Sequence, residues 1–163
     1  MFDNICNNCL SNCSQAISCN KRKCELSILN SVTTSSVEVQ SGSAIPFNAN
    51  RVCLSEDIFH VAGSSDFTIC TPGVYKATVT TNARLSLGET INSVSIALAV
   101  NGLEIPGSRA NDSCGPNDTR NLTTQVVFVI VNGTTAILTA INPNTNTPLT
   151  VYDNTNIIVE KIG

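Results

Sequence analysis

Short segments of alternating apolar and polar residues, separated by turn sequences, run through most of this 163-residue chain. Residues Gly73–Thr81 alternate with a period of two, which is the pattern of a strand with one buried face. Ser93–Val100 alternates in the same way and ends at Asn101-Gly102, the dipeptide that most strongly favours a hairpin turn. These segments predict an all-β fold.

Val126–Val131 is apolar at every position, so both faces of this predicted strand need to be covered, either inside a sandwich or at a subunit contact. Asn132-Gly133 is expected to turn the chain after it. Further strands are expected at Ala136–Ile141 and Ile157–Ile162 and near Val37, Ile45, Phe59 and Phe67. About eight to ten short antiparallel strands joined by turns are typical of a jelly-roll sandwich, which is the predicted fold.

The composition excludes several classes of function. Charged residues make up 13% of the chain, and nine Lys and Arg against twelve Asp and Glu give a net charge of -3. A phosphate-binding surface for nucleic acid is therefore not expected. His60 is the single histidine, and no Gly-x-Ser-x-Gly nucleophile turn occurs, so we expect His60 to be structural and the protein not to be an enzyme. No cofactor and no membrane partner are expected either.

Eight cysteines divide the chain unevenly. Five lie in an Asn- and Ser-rich segment at the start, namely Cys6, Cys9, Cys13, Cys19 and Cys24, and three are spread over the rest, namely Cys53, Cys70 and Cys114. The segment 1–32 shows no sustained apolar period, so we interpret it as a connector arm and residues 33–163 as the jelly-roll body. So many cysteines indicate an oxidising environment, yet the start of the chain lacks the pattern of a secretion signal. We therefore expect an extracellular protein of a spore or cell surface that has no classical signal peptide and is made in a cell that later lyses, so that its thiols oxidise after release.

The arm cysteines have three alternative roles: one zinc site, disulfides within the arm, or disulfides to other subunits. The third is favoured because an arm without a core needs a partner to become ordered. The body holds an odd number of cysteines, so Cys70 and Cys114 are expected to join the five arm cysteines as intersubunit disulfide candidates, and Cys53 to be a buried or paired thiol. Asp112, Asn117 and Asp118 carry oxygens suited to calcium, but we expect a solvated loop there and no metal site.

Two strings resemble a known family. Phe67–Tyr75 (FTICTPGVY) and Asn101–Ser108 (NGLEIPGS) are similar to segments in the C-terminal heads of collagen-like exosporium glycoproteins, which are themselves similar to the complement and tumour-necrosis-factor jelly rolls. The resemblance covers roughly Val37–Ile162 and implies a jelly roll that self-associates through sheet faces and loops. This chain has no Gly-x-y collagen repeat before the head. Its cysteine-rich arm is similar in plan to the connector of bacterial endospore appendages, which is disulfide-bonded to a neighbouring subunit.

These expectations converge on a structural subunit that self-assembles into a disulfide-cross-linked filament on a spore or other extracellular surface. Its partners would be copies of itself, with other spore-coat proteins as further candidates. The alternative is a trimeric binding head of exosporium or phage type that recognises a glycan or a receptor.

Overall fold

The computed structural model describes residues 27–86, 93–115, 117–131 and 135–163, and all regular structure in these ranges is β. The predicted all-β jelly roll is therefore confirmed. In the described part of the chain, no helix has the length and apolar character needed to cross a membrane. The strands are β1 (Ile28–Val32), β2 (Val37–Val39), β3 (Ala49–Leu54), β4 (Ile58–His60), β5 (Phe67–Ile69), β6 (Gly73–Leu85), β7 (Ser93–Val100), β8 (Leu103–Glu104), β9 (Ala110–Ser113), β10 (Arg120–Ile130), β11 (Ala136–Ile141), β12 (Leu149–Val151) and β13 (Asn156–Lys161).

The strands form two antiparallel sheets. The first sheet has seven strands in the order β2-β12-β6-β13-β1-β3, with β10 paired to the other edge of β6. The second sheet has six strands in the order β4-β5-β11-β7-β8, with β9 also paired to β7. Strands distant in sequence are neighbours in both sheets, as expected for jelly-roll connections.

The hydrophobic core lies between the two sheets. Alternate residues of β6, beginning with Tyr75, Ala77 and Val79, point inward and are fully buried, which is why the sequence of this strand alternates. From the second sheet, Val94, Ile96 and Leu98 of β7 belong to the same core cluster. The core is thus built from the apolar positions that the period of two predicts.

The predicted strand bounds are reproduced for β7 and β11. β6 continues past its predicted end to Leu85, whereas β10 begins earlier than predicted, at Arg120, and ends at Ile130, one residue before the predicted end. The hairpin turn after β7 is also confirmed, because Asn101 and Gly102 both have positive φ, of 51° and 79°. Near Ile45 there is no strand, only an isolated bridge between Ala44 and Ile141. The predicted turn at Asn132-Gly133 lies outside the described residues.

Residues 28–32, which the sequence analysis assigned to the arm, form β1 in the interior of the first sheet, between β13 and β3. Their pattern was missed because Ser31, an inward-facing residue, is polar. Its hydroxyl donates a hydrogen bond to Asn50 Oδ1 at 2.6 Å, so a polar side chain is buried with its hydrogen bond satisfied.

Truncating Phe67 should destabilise the fold strongly. Its ring is fully buried, packs edge-on against Phe47 at 5.5 Å and stacks on His60 at 4.2 Å. Phe67→Ala should lower the free energy of unfolding by about 3–5 kcal/mol, the usual cost of removing a core phenyl ring. Urea denaturation followed by circular dichroism measures this, with Val61→Ala at an exposed loop position as the control, expected within about 0.5 kcal/mol of the parent. Equal stabilities for the two variants would contradict this packing.

Candidate interaction face

The outward face of the first sheet carries a row of exposed valines on β10. Leu122, Phe128 and Ile130 of this strand point into the core, whereas Val127, Val129 and Val131 alternate with them and are between 53% and 71% exposed. In the described part of the chain, the core covers one face of β10 and no residue covers the other. The described residues therefore do not bury this strand on both faces, as the sandwich alternative requires, and the subunit contact stays a prediction.

The apolar surface continues onto the neighbouring strand and the C-terminal segment. Val74 of β6 lies directly opposite Val129, and its carbonyl accepts a hydrogen bond from Ile162 N at 2.8 Å. Ile162 is itself more than half exposed. We call these five residues the apolar strip: Val74, Val127, Val129, Val131 and Ile162. The sequence pattern indicates Val127, Val129 and Val131, but not Val74 and Ile162, because only strand pairing brings these two residues next to the others.

Beyond the apolar strip, the same two strands carry polar pairs. The pairs Thr78–Gln125 (3.2 Å), Thr80–Thr123 (3.2 Å) and Asn82–Asn121 (3.0 Å) hydrogen-bond across β6 and β10. Between them and the strip, Lys76 forms an ion pair with Glu160 of β13. The face therefore changes along the strands from the apolar strip, bordered by this ion pair, to neutral polar pairs.

The predicted cysteine sites are only partly within the described residues. Cys53 is buried and Cys70 half-buried, and each is disulfide-bonded. Cys114 is buried with a free thiol, whose pKa is raised mainly by its burial. The five arm cysteines, and with them the zinc alternative, lie outside the described residues, so intersubunit disulfides stay a prediction.

In the loop considered for calcium, the guanidinium of Arg120 lies between the carboxylates of Asp112 and Asp118. The guanidinium of Arg120 lies 3.0 Å from a carboxylate oxygen of Asp118 and 3.7 Å from one of Asp112. Asp118 also accepts a hydrogen bond from Gly115 N at 3.0 Å. Among the residues that the structure describes, no group of three or more His, Cys, Asp and Glu side chains is arranged to hold a metal ion.

His60 is a structural residue between the sheets. Only 1% of it is exposed, its Nδ1 lies 2.6 Å from Asn50 Oδ1, and its Nε2 lies 3.0 Å from the carbonyl oxygen of Ser64. Ser31 Oγ is 3.3 Å from Nδ1, but this hydroxyl is equally buried and is held by Asn50. Burial lowers the pKa of His60 below its usual value, against the opposing effects of the Ser64 hydrogen bond and the charge of Asp66.

This lowered pKa predicts a loss of stability in mild acid. The unfolded chain, with a normal histidine pKa of about 6.5, binds a proton more readily than the folded chain, so the free energy of unfolding should fall as the pH drops below about 6.5. Urea denaturation between pH 5.5 and 8 measures the slope. Because His60 is the only histidine, His60→Gln should flatten the profile in this window, and an unchanged slope would contradict the assignment.

Comparison with solved structures places the fold among the tumour-necrosis-factor and complement jelly rolls. Murine APRIL at pH 5.0 matches with a TM-score of 0.62 and 13% identity, covering 84% of this chain and 99% of that one. The Eiger TNF of S. frugiperda matches with a TM-score of 0.59 and 10% identity over 85% and 93% of the two chains. The globular domain of zebrafish complement 1qA protein matches with a TM-score of 0.60 and 11% identity over 85% and 98%. No family model and no curated protein sequence matches this chain.

At these identities the likeness concerns the fold. It confirms the part of the sequence resemblance that implies a jelly roll of the tumour-necrosis-factor and complement type. The resemblance to exosporium heads and endospore appendages stays a prediction.

Proposed function

We propose that this protein is a self-associating binding head: three jelly rolls pack through the outward faces of their first sheets and together present a recognition surface for a glycan or a receptor. The observation that carries the proposal is the apolar strip, which nothing in the described part of one chain covers.

The strip has the character of an interface. Contiguous exposed apolar residues bordered by polar ones mark association sites, and burying one valine or isoleucine side chain contributes about 1.5–3 kcal/mol. The neighbouring Thr–Thr, Thr–Gln and Asn–Asn pairs would form a neutral polar rim, which can be brought against another surface without leaving a charge unpaired.

A closed assembly is favoured over an open one. The sequence resemblance implies self-association through sheet faces, and the fold likeness to Eiger TNF and the complement 1qA domain supports the same class of head. The strip lies at the β10 edge of the sheet, so two copies can meet there through different parts of the same face. Such a head-to-tail contact closes into a ring of subunits when the rotation between neighbouring copies allows it. The disulfide-bonded state of Cys53 and Cys70 supports an extracellular location, at a spore or cell surface.

Introducing charge into the strip should dissociate the assembly. Sedimentation velocity of the parent should give a mass of about 52 kDa, three times the 17.2 kDa of one chain, and Val129→Lys should sediment as a monomer. Leu103→Lys provides a matched control, because Leu103 is also exposed but lies on the second sheet, and this variant should stay trimeric. A monomeric parent, or a trimeric Val129→Lys, would overturn the proposed contact.

The filament expectation needs a separate measurement because most of its cysteines lie outside the described residues. After boiling in SDS without reductant, a trimer held by the strip should run as a monomer, since its contacts are noncovalent. A ladder or polymer that collapses on reduction, with fibres in negative-stain images, would instead establish the disulfide-linked filament.

A further inference from the structure

A shallow cleft lies on the outward face of the first sheet, away from the apolar strip. Its volume is about 260 Å³, and it is lined by Asn30, Val32, Arg51, Asn154, Asn156 and Ile158. These residues come from β1, β3, β13 and the turn before β13. Because β6 and β13 separate β1 from β10, the cleft and the strip occupy different parts of the face.

Pairing between strands fixes the geometry of the cleft. Asn30 lies opposite Ile158, and Val32 lies opposite Asn156, so two carboxamides and two apolar side chains alternate across β1 and β13. Asn154 has a positive φ of 63°, and its N–H donates to the carbonyl of Thr33 at 3.0 Å, which holds the turn against the end of β1. The lining is therefore preorganised by main-chain hydrogen bonds, which lowers the entropic cost of binding.

The polar groups around the cleft retain hydrogen-bonding capacity. Asn30 Nδ2 donates to the carbonyl of Ile157 at 3.1 Å, and its Oδ1 remains an acceptor. Arg51 is exposed, and its guanidinium forms no ion pair with any carboxylate in the described ranges. Val32 is buried beneath these groups and Ile158 is half-buried.

The charges near the cleft leave Arg51 as its main cation. Asp153 precedes Asn154, is exposed, and accepts a hydrogen bond at Oδ2 from the side-chain Nδ2 of Asn154 at 3.3 Å. Glu160, one step along β13 on the same face, is ion-paired with Lys76. A ligand therefore meets three carboxamides and one guanidinium that no carboxylate of the described residues pairs, in a protein of net charge -3.

We propose that this cleft binds a single carboxylate-bearing sugar residue. A guanidinium binds a carboxylate through two parallel hydrogen bonds, and carboxamides pair with hydroxyl groups as donors and acceptors. The half-buried Ile158 can pack against the C–H face of a sugar ring. The volume lies just below the usual range of about 300–1,000 Å³ for ligand pockets, which suits one sugar ring and not a longer chain. The inference rests on the proposed role as a binding head, but not on its trimeric state.

Titration with sodium glucuronate, followed by ¹H–¹⁵N TROSY spectra of the full chain, tests the inference. Resonances of Asn30, Asn154 and Asn156 should shift saturably, with an affinity at least tenfold higher than for glucose or for sodium acetate at matched ionic strength. Arg51→Gln should weaken glucuronate binding at least tenfold. Arg109→Gln removes the same charge from the second-sheet side, where Arg109 pairs with Glu104, and should leave binding unchanged.

Three outcomes would overturn the inference: no saturable shift, an equal response to acetate, or unchanged affinity in Arg51→Gln. Sedimentation of the same samples separates it from the proposed assembly. A trimer that does not bind glucuronate overturns the sugar site alone, whereas a monomer that binds it overturns the trimer alone.

Discussion

The pairing of β10 with β6 is the interaction on which the first sheet and its outward face depend. Eleven residue pairs join the two strands, from Arg120 opposite Ala83 to Ile130 opposite Gly73, while the other edge of β6 holds β13 and β12. Side chains alternate between the two faces, so a slip of one residue in β10 would bring Phe128 out of the core and turn the valines inward. The core therefore fixes the register, and the same register leaves the valines exposed together.

The buried polar residues of this protein explain why so few of its residues are charged. Asn142 is fully buried, and its Nδ2 donates to the carbonyls of Val39 at 3.0 Å and Thr147 at 2.8 Å. Elsewhere Thr81 and Thr155 form a buried hydroxyl pair at 2.6 Å. Neutral side chains can be buried at small cost once they are hydrogen-bonded, whereas a charge would also need a counter-ion. Asn, Thr and Ser side chains thus tie loops to the sandwich through neutral hydrogen-bonded groups.

The sequence predicted the strands whose inward positions carry several apolar residues in succession, as Tyr75, Ala77 and Val79 do in β6 and as the inward positions of β7 and β11 do. It missed β1, because Ser31 points inward and Asn50 of the adjacent strand satisfies it, and alternation of apolar residues cannot reveal such a pair. The same limit applies to the interaction face. The exposed valines occupy every second position of one segment, so the sequence pattern could indicate them. The cleft instead brings Asn30 together with Asn154 and Asn156, which only long-range strand pairing makes neighbours.

The apolar strip and the cleft lie toward opposite ends of the first sheet. The course of β1 and β13 explains why they are apart. Ser27, which precedes β1, accepts a hydrogen bond at its carbonyl from Lys161 N at 2.9 Å, so the start of β1 lies beside the end of β13. Ile162 and Val74, at this end, belong to the apolar strip, whereas Asn154 and Asn156 lie where β13 begins, at the other end. Contacts between copies through Val74 and Ile162 would therefore leave open the half of the face that carries Asn154 and Asn156. An assembly held at that end can carry a ligand site on the same sheet without burying it.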